Sequence, residues 1–237
     1  MIAVLINVVA VVLGGTVGTL FGGAIKSKYT DAIMMAIALI TAVIGVQSAT
    51  QTSDIMIVMV CLIIGTVIGV ALKLDDFFNT AADRMKHALK GSRLSRGRFA
   101  EAFVTTSVLF CVGTMTVIGS INAAIRHDYS ILIAKSVMDF MSSIVFAAAL
   151  GGGVIFSSLS VLLIQGAIVA FAGVCQPFLT PEVVTEMSAV GGTIFIGMSV
   201  NLMGISQKKI KIGDMLPGIF IPMIYFPVYN WLTALFK

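Results

Sequence analysis

The chain has 237 residues, 58% of them hydrophobic and only 11% charged, with a mean hydropathy of +1.06 and a formal net charge of +4. No soluble core hides so much apolar surface, so the composition excludes a soluble globular protein and points to one integral membrane domain over 1–237, all-α and polytopic. The positive charge falls mostly in one connecting loop, which makes it a topology signal and argues against nucleic acid as a partner.

Apolar runs separated by polar punctuation predict about eight transmembrane helices: Ile2–Gly22, Ala32–Ala49, Asp54–Leu72, Phe103–Ala124, Ser130–Leu150, Val154–Cys175, Val184–Ile205 and Met215–Phe236. The first run lacks a basic leader and is long enough to stay as a span, so no cleavable signal is expected. Gly14, Gly18 and Gly22 repeat every fourth residue on span one, and Gly65 and Gly69 do so on span three. Small residues at this spacing let helix backbones approach, the pattern of a glycine zipper, and they offer a surface for a homo-oligomer.

The connection after the third span, over 74–100, has Phe77, Phe78, Ala81, Met85 and Leu89 at helical intervals, with Asp76, Asp83, Arg84 and Lys90 between them. That pattern predicts an amphipathic helix on the cytoplasmic membrane surface followed by a basic loop. Lysines and arginines set the orientation. Lys26 and Lys28, then Lys73, Arg84, Lys86, Lys90, Arg93, Arg96 and Arg98, then Lys208, Lys209 and Lys211 fall on one side of an eight-span chain. The other side receives Arg126 and Lys237 with Asp54, Asp128, Glu182 and Glu186, so the positive-inside rule places both termini outside the cytoplasm.

A shift of one hundred positions aligns Thr16-Val17 with Thr116-Val117, Ala24-Ile25-Lys26 with Ala124-Ile125-Arg126, and Tyr29-Thr30 with Tyr129-Ser130. Three spans per unit is an odd number, so spans one to three and four to six would form an inverted repeat, with two C-terminal spans appended.

The fifth span carries the chemistry. Lys135 and Asp139 stand one helical turn apart, on one face, inside a run that otherwise reads as membrane-spanning. A lone charge at the bilayer centre costs about 3 kcal/mol on insertion scales, so such residues face a bundle interior or a watery cavity and mark function by default. The bland alternative is a self-neutralised pair that locks two helices together. Ser136, Ser142 and Ser143 add hydroxyls nearby, and in the diverged repeat Met35 and Leu39 stand where Lys135 and Asp139 do. Gln165 and Asn201 lie well inside their spans among small neighbours and complete a candidate substrate-binding set; Asn7 and Asn122 rank below them. A single membrane amide more often bonds a neighbouring helix, for roughly 0.6 kcal/mol, than a ligand.

Three further features qualify the spans. Gly151-Gly152-Gly153 forms a short hinge between spans five and six, the helix near Gly191-Gly192-Thr193 is open to interruption, and Pro217, Pro222 and Pro227 disturb span eight. Tyr225, Tyr229 and Trp231 suit an interfacial aromatic belt. Cys61, Cys111 and Cys175 are isolated in apolar runs, as small packing residues are.

Phe110-Cys111-Val112-Gly113 with Met115 and Gly119, Ala134-Lys135-Ser136 with Asp139, Ser142-Ser143-Ile144, Gly151 and Gly153, Gln165-Gly166, and Gly197 with Asn201-Leu202 together resemble the bacterial inner-membrane proteins of the YdfK/YqgA type, classed by a domain of unknown function that spans the whole chain. The resemblance implies a multi-pass protein of the bacterial inner membrane and leaves the solute open. Phe140 and Ile164 depart from the family pattern, which has glycine after the aspartate and tyrosine before the glutamine, and neither change removes a charge.

These features favour a secondary transporter or permease for a small polar or ionic solute, centred on Lys135, Ser136, Asp139, Ser142, Ser143, Gln165 and Asn201, with Asp139 a candidate for proton coupling. An oligomeric channel, or a non-transporting membrane scaffold or sensor, is the alternative. No cofactor or metal is expected, and the chain carries no hydrolase, metalloprotease or nucleotide-binding motif that would make it an enzyme.

Overall fold

In lipid a backbone has no water to bond to, so an apolar run must satisfy its own amides, and helices result throughout. The computed structural model describes residues 1–22, 27–88, 94, 97–206 and 208–235, without the side chains of 27, 28, 30, 31, 175 and 229–235. Lys26, Leu89, Lys90, Arg93, Arg96, Lys237 and the side chains of Lys28, Cys175, Tyr229 and Trp231 therefore lie outside the described residues.

The helices in order are α1 (Ile2–Gly22), α2 (Ser27–Ala49), α3 (Ile55–Leu72), α4 (Leu74–Ala88), α5 (Phe99–Cys111), α6 (Thr114–Ile121, continued by a π-turn over Asn122–Arg126), α7 (Ser130–Leu150), α8 (Gly153–Ala170), the short α9 (Ala172–Cys175), α10 (Pro181–Met203), α11 (Ile212–Met215) and α12 (Pro222–Leu235). Six of them, α1, α2, α3, α7, α8 and α10, are long and apolar enough to cross a membrane. The predicted span at Phe103–Ala124 is instead a pair, α5 and α6, bent by 55°. The last predicted span is interrupted as its prolines require: a 3-10 turn covers Leu216–Phe220 and α12 restarts at Pro222.

Local chemistry fixes the ends. Asp54 caps α3 by accepting from the Met56 amide, and Thr180 caps α10 ahead of Pro181 in the first helical turn. Lys73 and Gly204 close α3 and α10 in the left-handed region. Before α7, the Ser130 amide and hydroxyl both donate to Asp128, and these bonds hold its carboxyl below the ordinary range.

Two groups of helices follow. In one, α1 lies on α7 and α5 lies on α8; in the other, α10 lies on α2, while α11 and the Leu216–Phe220 turn lie on α3. The three-span units of the predicted repeat are thus not separate bundles, because α1 packs on α7 and α8 rather than on α2 and α3. Glycines make the close approaches. Gly14, Gly18 and Gly22 face Phe140, Ile144 and Ala148 in turn, so α1 and α7 run parallel; a Cβ at any of the three would strike the α7 backbone. Gly65 faces Gly218 and Gly69 faces Asp214, so α3 runs antiparallel to the proline-broken segment. Both glycine stripes are covered within the chain.

The helix does not break at Gly191-Gly192-Thr193, where an interruption was open on sequence grounds. There α10 is continuous, and its two glycines instead admit Val112 on one side and Gly45, Ser48 and Ala49 of α2 on the other. The amphipathic α4 turns Phe78, Ala82 and Met85 onto Phe99, Phe103 and Phe156, leaving Phe77 exposed. A bridge between Gly97 and Gly151 and an ion pair between Lys211 and Asp76 bring Lys73, Arg98 and Lys211 to one end of the molecule.

Candidate functional site

An interruption places the site. Val112 is extended, and Gly113 takes φ +129°, a conformation that L side chains rarely adopt, so the chain leaves the helix between α5 and α6 where glycine permits it. The carbonyl of Phe110, freed by the break, accepts from the Thr116 hydroxyl at 3.1 Å. The bend between α5 and α6 leaves room beside α7.

On α7 the Lys135 ammonium donates to Asp139 Oδ2 at 2.6 Å, with both side chains over nine-tenths buried. Asn7 of α1 donates its amide to the same oxygen at 3.0 Å and to Gln165 Oε1 of α8 at 3.3 Å. The Lys135 ammonium also lies 5.9 Å from the centre of the Phe110 ring, within cation-π range. Three straight helices and the broken one thus meet in one polar cluster around the Lys135–Asp139 pair. The hydrogen bonding is incomplete: Asn7 Oδ1, Gln165 Nε2 and the hydroxyls of Ser143 and Ser120 are buried with no partner among the described residues. Unpaired polar atoms in a dry interior are costly, and native interiors seldom keep them without a reason.

Lys135 and Asp139 form part of the wall of a cavity of about 550 Å³ between α2, the α5–α6 break, α7 and α10. Thr41, Gln47 and Ser48 line it from α2, Thr114 and Thr116 from α6, Ser142 from α7 and Ser188 from α10, among aliphatic, methionine and phenylalanine side chains. A second cavity of about 400 Å³ lies beyond the break, bounded by Leu74, Phe77 and Phe78 of α4 and by Leu216 and Pro217. The two share Val112, Gly113 and Ser188 as a common wall. The first reaches toward the α2–α3 end of the molecule, the second toward the end that carries Lys73 and Lys211.

Of the residues singled out in sequence, the structure joins Lys135, Asp139 and Gln165. Ser142 lines the cavity, Ser143 is buried beside Gly14, and Ser136 turns its hydroxyl back to the Leu132 carbonyl. Asn201 is not with them. It sits 13 residues beyond Ser188 on α10, about 20 Å at the helical rise, and clasps Ile210 with both halves of its amide, Nδ2 to the carbonyl at 2.8 Å and Oδ1 from the amide at 2.9 Å. Asn7, ranked low, is instead the hub, and neither hydropathy nor spacing could have raised it, because its partners lie 132 and 158 positions away. Among the described residues no group of three His, Cys, Asp or Glu side chains is placed to hold a metal.

Glu186 is the other buried carboxylate of note. It is 1% exposed and accepts from the Thr52 hydroxyl at 2.6 Å and from both the amide and hydroxyl of Ser53 at 2.9 Å, fastening α10 to the α2–α3 connection.

The family described as "Protein of unknown function (DUF554)" matches residues 2–227. The chain is 28% identical over 228 residues to the "Uncharacterized membrane protein YdfK" of Bacillus subtilis, covering 94% of this chain and 95% of that one. It is 29% identical over 220 residues to the "Uncharacterized protein YqgA" of Escherichia coli, covering 92% and 93%. No solved structure matches the chain.

Proposed function

The chain belongs to the DUF554 family of membrane proteins, and from that premise we propose that it is a secondary permease for a small polar or ionic solute in the bacterial inner membrane. The observation that carries this is the pairing of a buried, incompletely bonded ion pair with a cavity large enough for a small solute, backed by a second cavity across a thin septum. A polar site at membrane depth beside a broken helix is the arrangement by which secondary transporters bind solutes, since interrupted helices offer backbone groups that lipid cannot satisfy. The solute enters the cavity at Lys135 and Asp139, and passage to the opposite cavity requires the septum at Val112, seated against Gly191, to move.

Packing directions support eight crossings. Parallel α1 and α7 need an odd number of crossings between them, which α2, α3 and a fully crossing α5–α6 pair supply. The proline-broken segment, antiparallel to α3, then returns the chain as the eighth. With Lys73, Arg98 and Lys211 at one end, that end is cytoplasmic and both termini lie outside it. The inverted repeat rests on α2 with α3 and α7 with α8, offset by one hundred positions, each helix of the second pair running opposite to its counterpart along the eight-span path.

Counterflow in proteoliposomes tests the proposal: vesicles carrying the protein and preloaded with unlabelled solute should accumulate labelled solute, saturably. Absence of exchange for every solute class, by a folded protein, would overturn it. Large single-channel currents would make it a channel instead.

A further inference from the structure

We infer that the solute of this site is a zwitterion, a small α-amino acid with an uncharged side chain being the simplest chemical class; the inference rests on the permease proposal above. Lys135 and Asp139 are the only charged side chains on the cavity wall among the described residues, and each presently neutralises the other. An anion drawn to Lys135 would have to displace Asp139 and would leave that carboxylate buried and unpaired beside a like charge. A cation drawn to Asp139 would leave the ammonium stranded in the same way. Either outcome is strongly unfavourable for two side chains that are each more than nine-tenths buried. An uncharged solute would leave the pair shut. A zwitterion supplies both countercharges at once, its carboxylate to Lys135 and its ammonium to Asp139, so the pair opens without exposing a bare charge.

The remaining bonding capacity has the same two-sided character. Lys135 Nζ and Asn7 Nδ2 converge on the single oxygen Asp139 Oδ2, leaving Oδ1 without a hydrogen bond among the described residues. Behind the pair, Asn7 Oδ1 is a spare acceptor and Gln165 Nε2 a spare donor, both fully buried. Neither amide lines the cavity, so the solute's carboxylate and ammonium are met there by Lys135 and Asp139 themselves. The rest of the wall mixes uncharged polar groups, the hydroxyls of α2, α6, α7 and α10 and the Gln47 amide, with Ile37, Ile44, Leu109, Phe110, Val145 and Phe195, so it suits an uncharged side chain rather than a third charge.

The test compares three members of one carbon skeleton on the purified full chain: leucine, its decarboxylated amine 3-methylbutylamine, and its deaminated acid 4-methylpentanoate, with glycine, alanine, methionine and phenylalanine as further zwitterions. The readouts are thermal stabilisation in detergent and counterflow in liposomes. The expected result is that at least one amino acid stabilises and exchanges, while amine and acid bind weaker by about 100-fold or more, the cost of a stranded buried charge. Asn201→Ala should retain this preference, and Lys135→Met with Asp139→Leu should lose binding while staying folded. Binding of the amine or acid as tight as that of the amino acid would overturn the zwitterion. So would exchange of an inorganic ion or a sugar with none of the amino acids, although the permease proposal would then stand. Failure of every class to exchange would remove the permease proposal and this inference with it.

Discussion

Asp139 and Glu186 are both buried carboxylates, one in the middle of a long apolar helix and one beside a helix connection, and they differ in what is left over. Glu186 accepts three short hydrogen bonds from Thr52 and Ser53, none of them from a formal charge, and it joins two elements with nothing orphaned among its partners. Asp139 takes an ammonium and an amide on one oxygen, stands on a cavity wall, and has unpaired amide atoms behind it. Burial of a charge therefore does not by itself mark a site. Unspent bonding capacity next to empty space does, because a ligand can only gain where the protein has not already satisfied itself.

The largest effect should come from splitting the ion pair. Asp139→Leu or Lys135→Met alone leaves an uncompensated buried charge and should cost about 3–5 kcal/mol, while the double replacement should return most of the loss. Thermal unfolding of both singles and the double measures this. A double variant as unstable as the singles would mean that the pair is not the unit described, and a stable double that still binds solute would reduce Asp139 to a fastener like Glu186.

Glu186→Leu sharpens the contrast from the other side. Losing charge-assisted bonds to Thr52 and Ser53 should cost about 2–3 kcal/mol, with solute binding unchanged in the protein that folds. Altered solute affinity at constant stability would show that Glu186 is more than a latch.

Gly18→Ala presses a methyl against the Ile144 carbonyl and should cost about 1–3 kcal/mol by overpacking. Since α1 carries Asn7 to Asp139, weaker solute binding should accompany that loss; unchanged binding would separate the helix seam from the site. Asn201→Ala releases the Ile210 clasp for about 1 kcal/mol and should leave binding alone, as measured by ligand-induced thermal shift. The smallest change in stability should follow Val112→Ala, which thins the septum between the cavities; faster exchange at unchanged affinity is the expected outcome, and unchanged exchange would place the barrier elsewhere.

Much of the fold was legible because it is local. Helical runs, the polar punctuation, the amphipathic stretch of α4 and the one-turn spacing of Lys135 and Asp139 are all written within a few residues of themselves, since a helix in lipid is obliged to bond internally. The proline-driven breaks after Met215 were readable for the same reason, whereas the break at Gly113 was not, because a single glycine in an apolar run serves close packing as readily as interruption. Gly191-Gly192 shows the converse, a pair that packs and does not break.

What the sequence by itself determined is the membrane class, the approximate spans and the presence of a buried opposite-charge pair. Only the tertiary structure decided that Asn7 and Gln165 meet Asp139, that Asn201 is spent on Ile210, that α1 lies on α7, and that a cavity opens beside the pair. The reason is that an apolar face turned to lipid and one turned to another helix are chemically alike, so hydropathy counts the helices without telling them which neighbour to choose; that choice is made by small-residue seams and by polar atoms that find each other across more than a hundred positions.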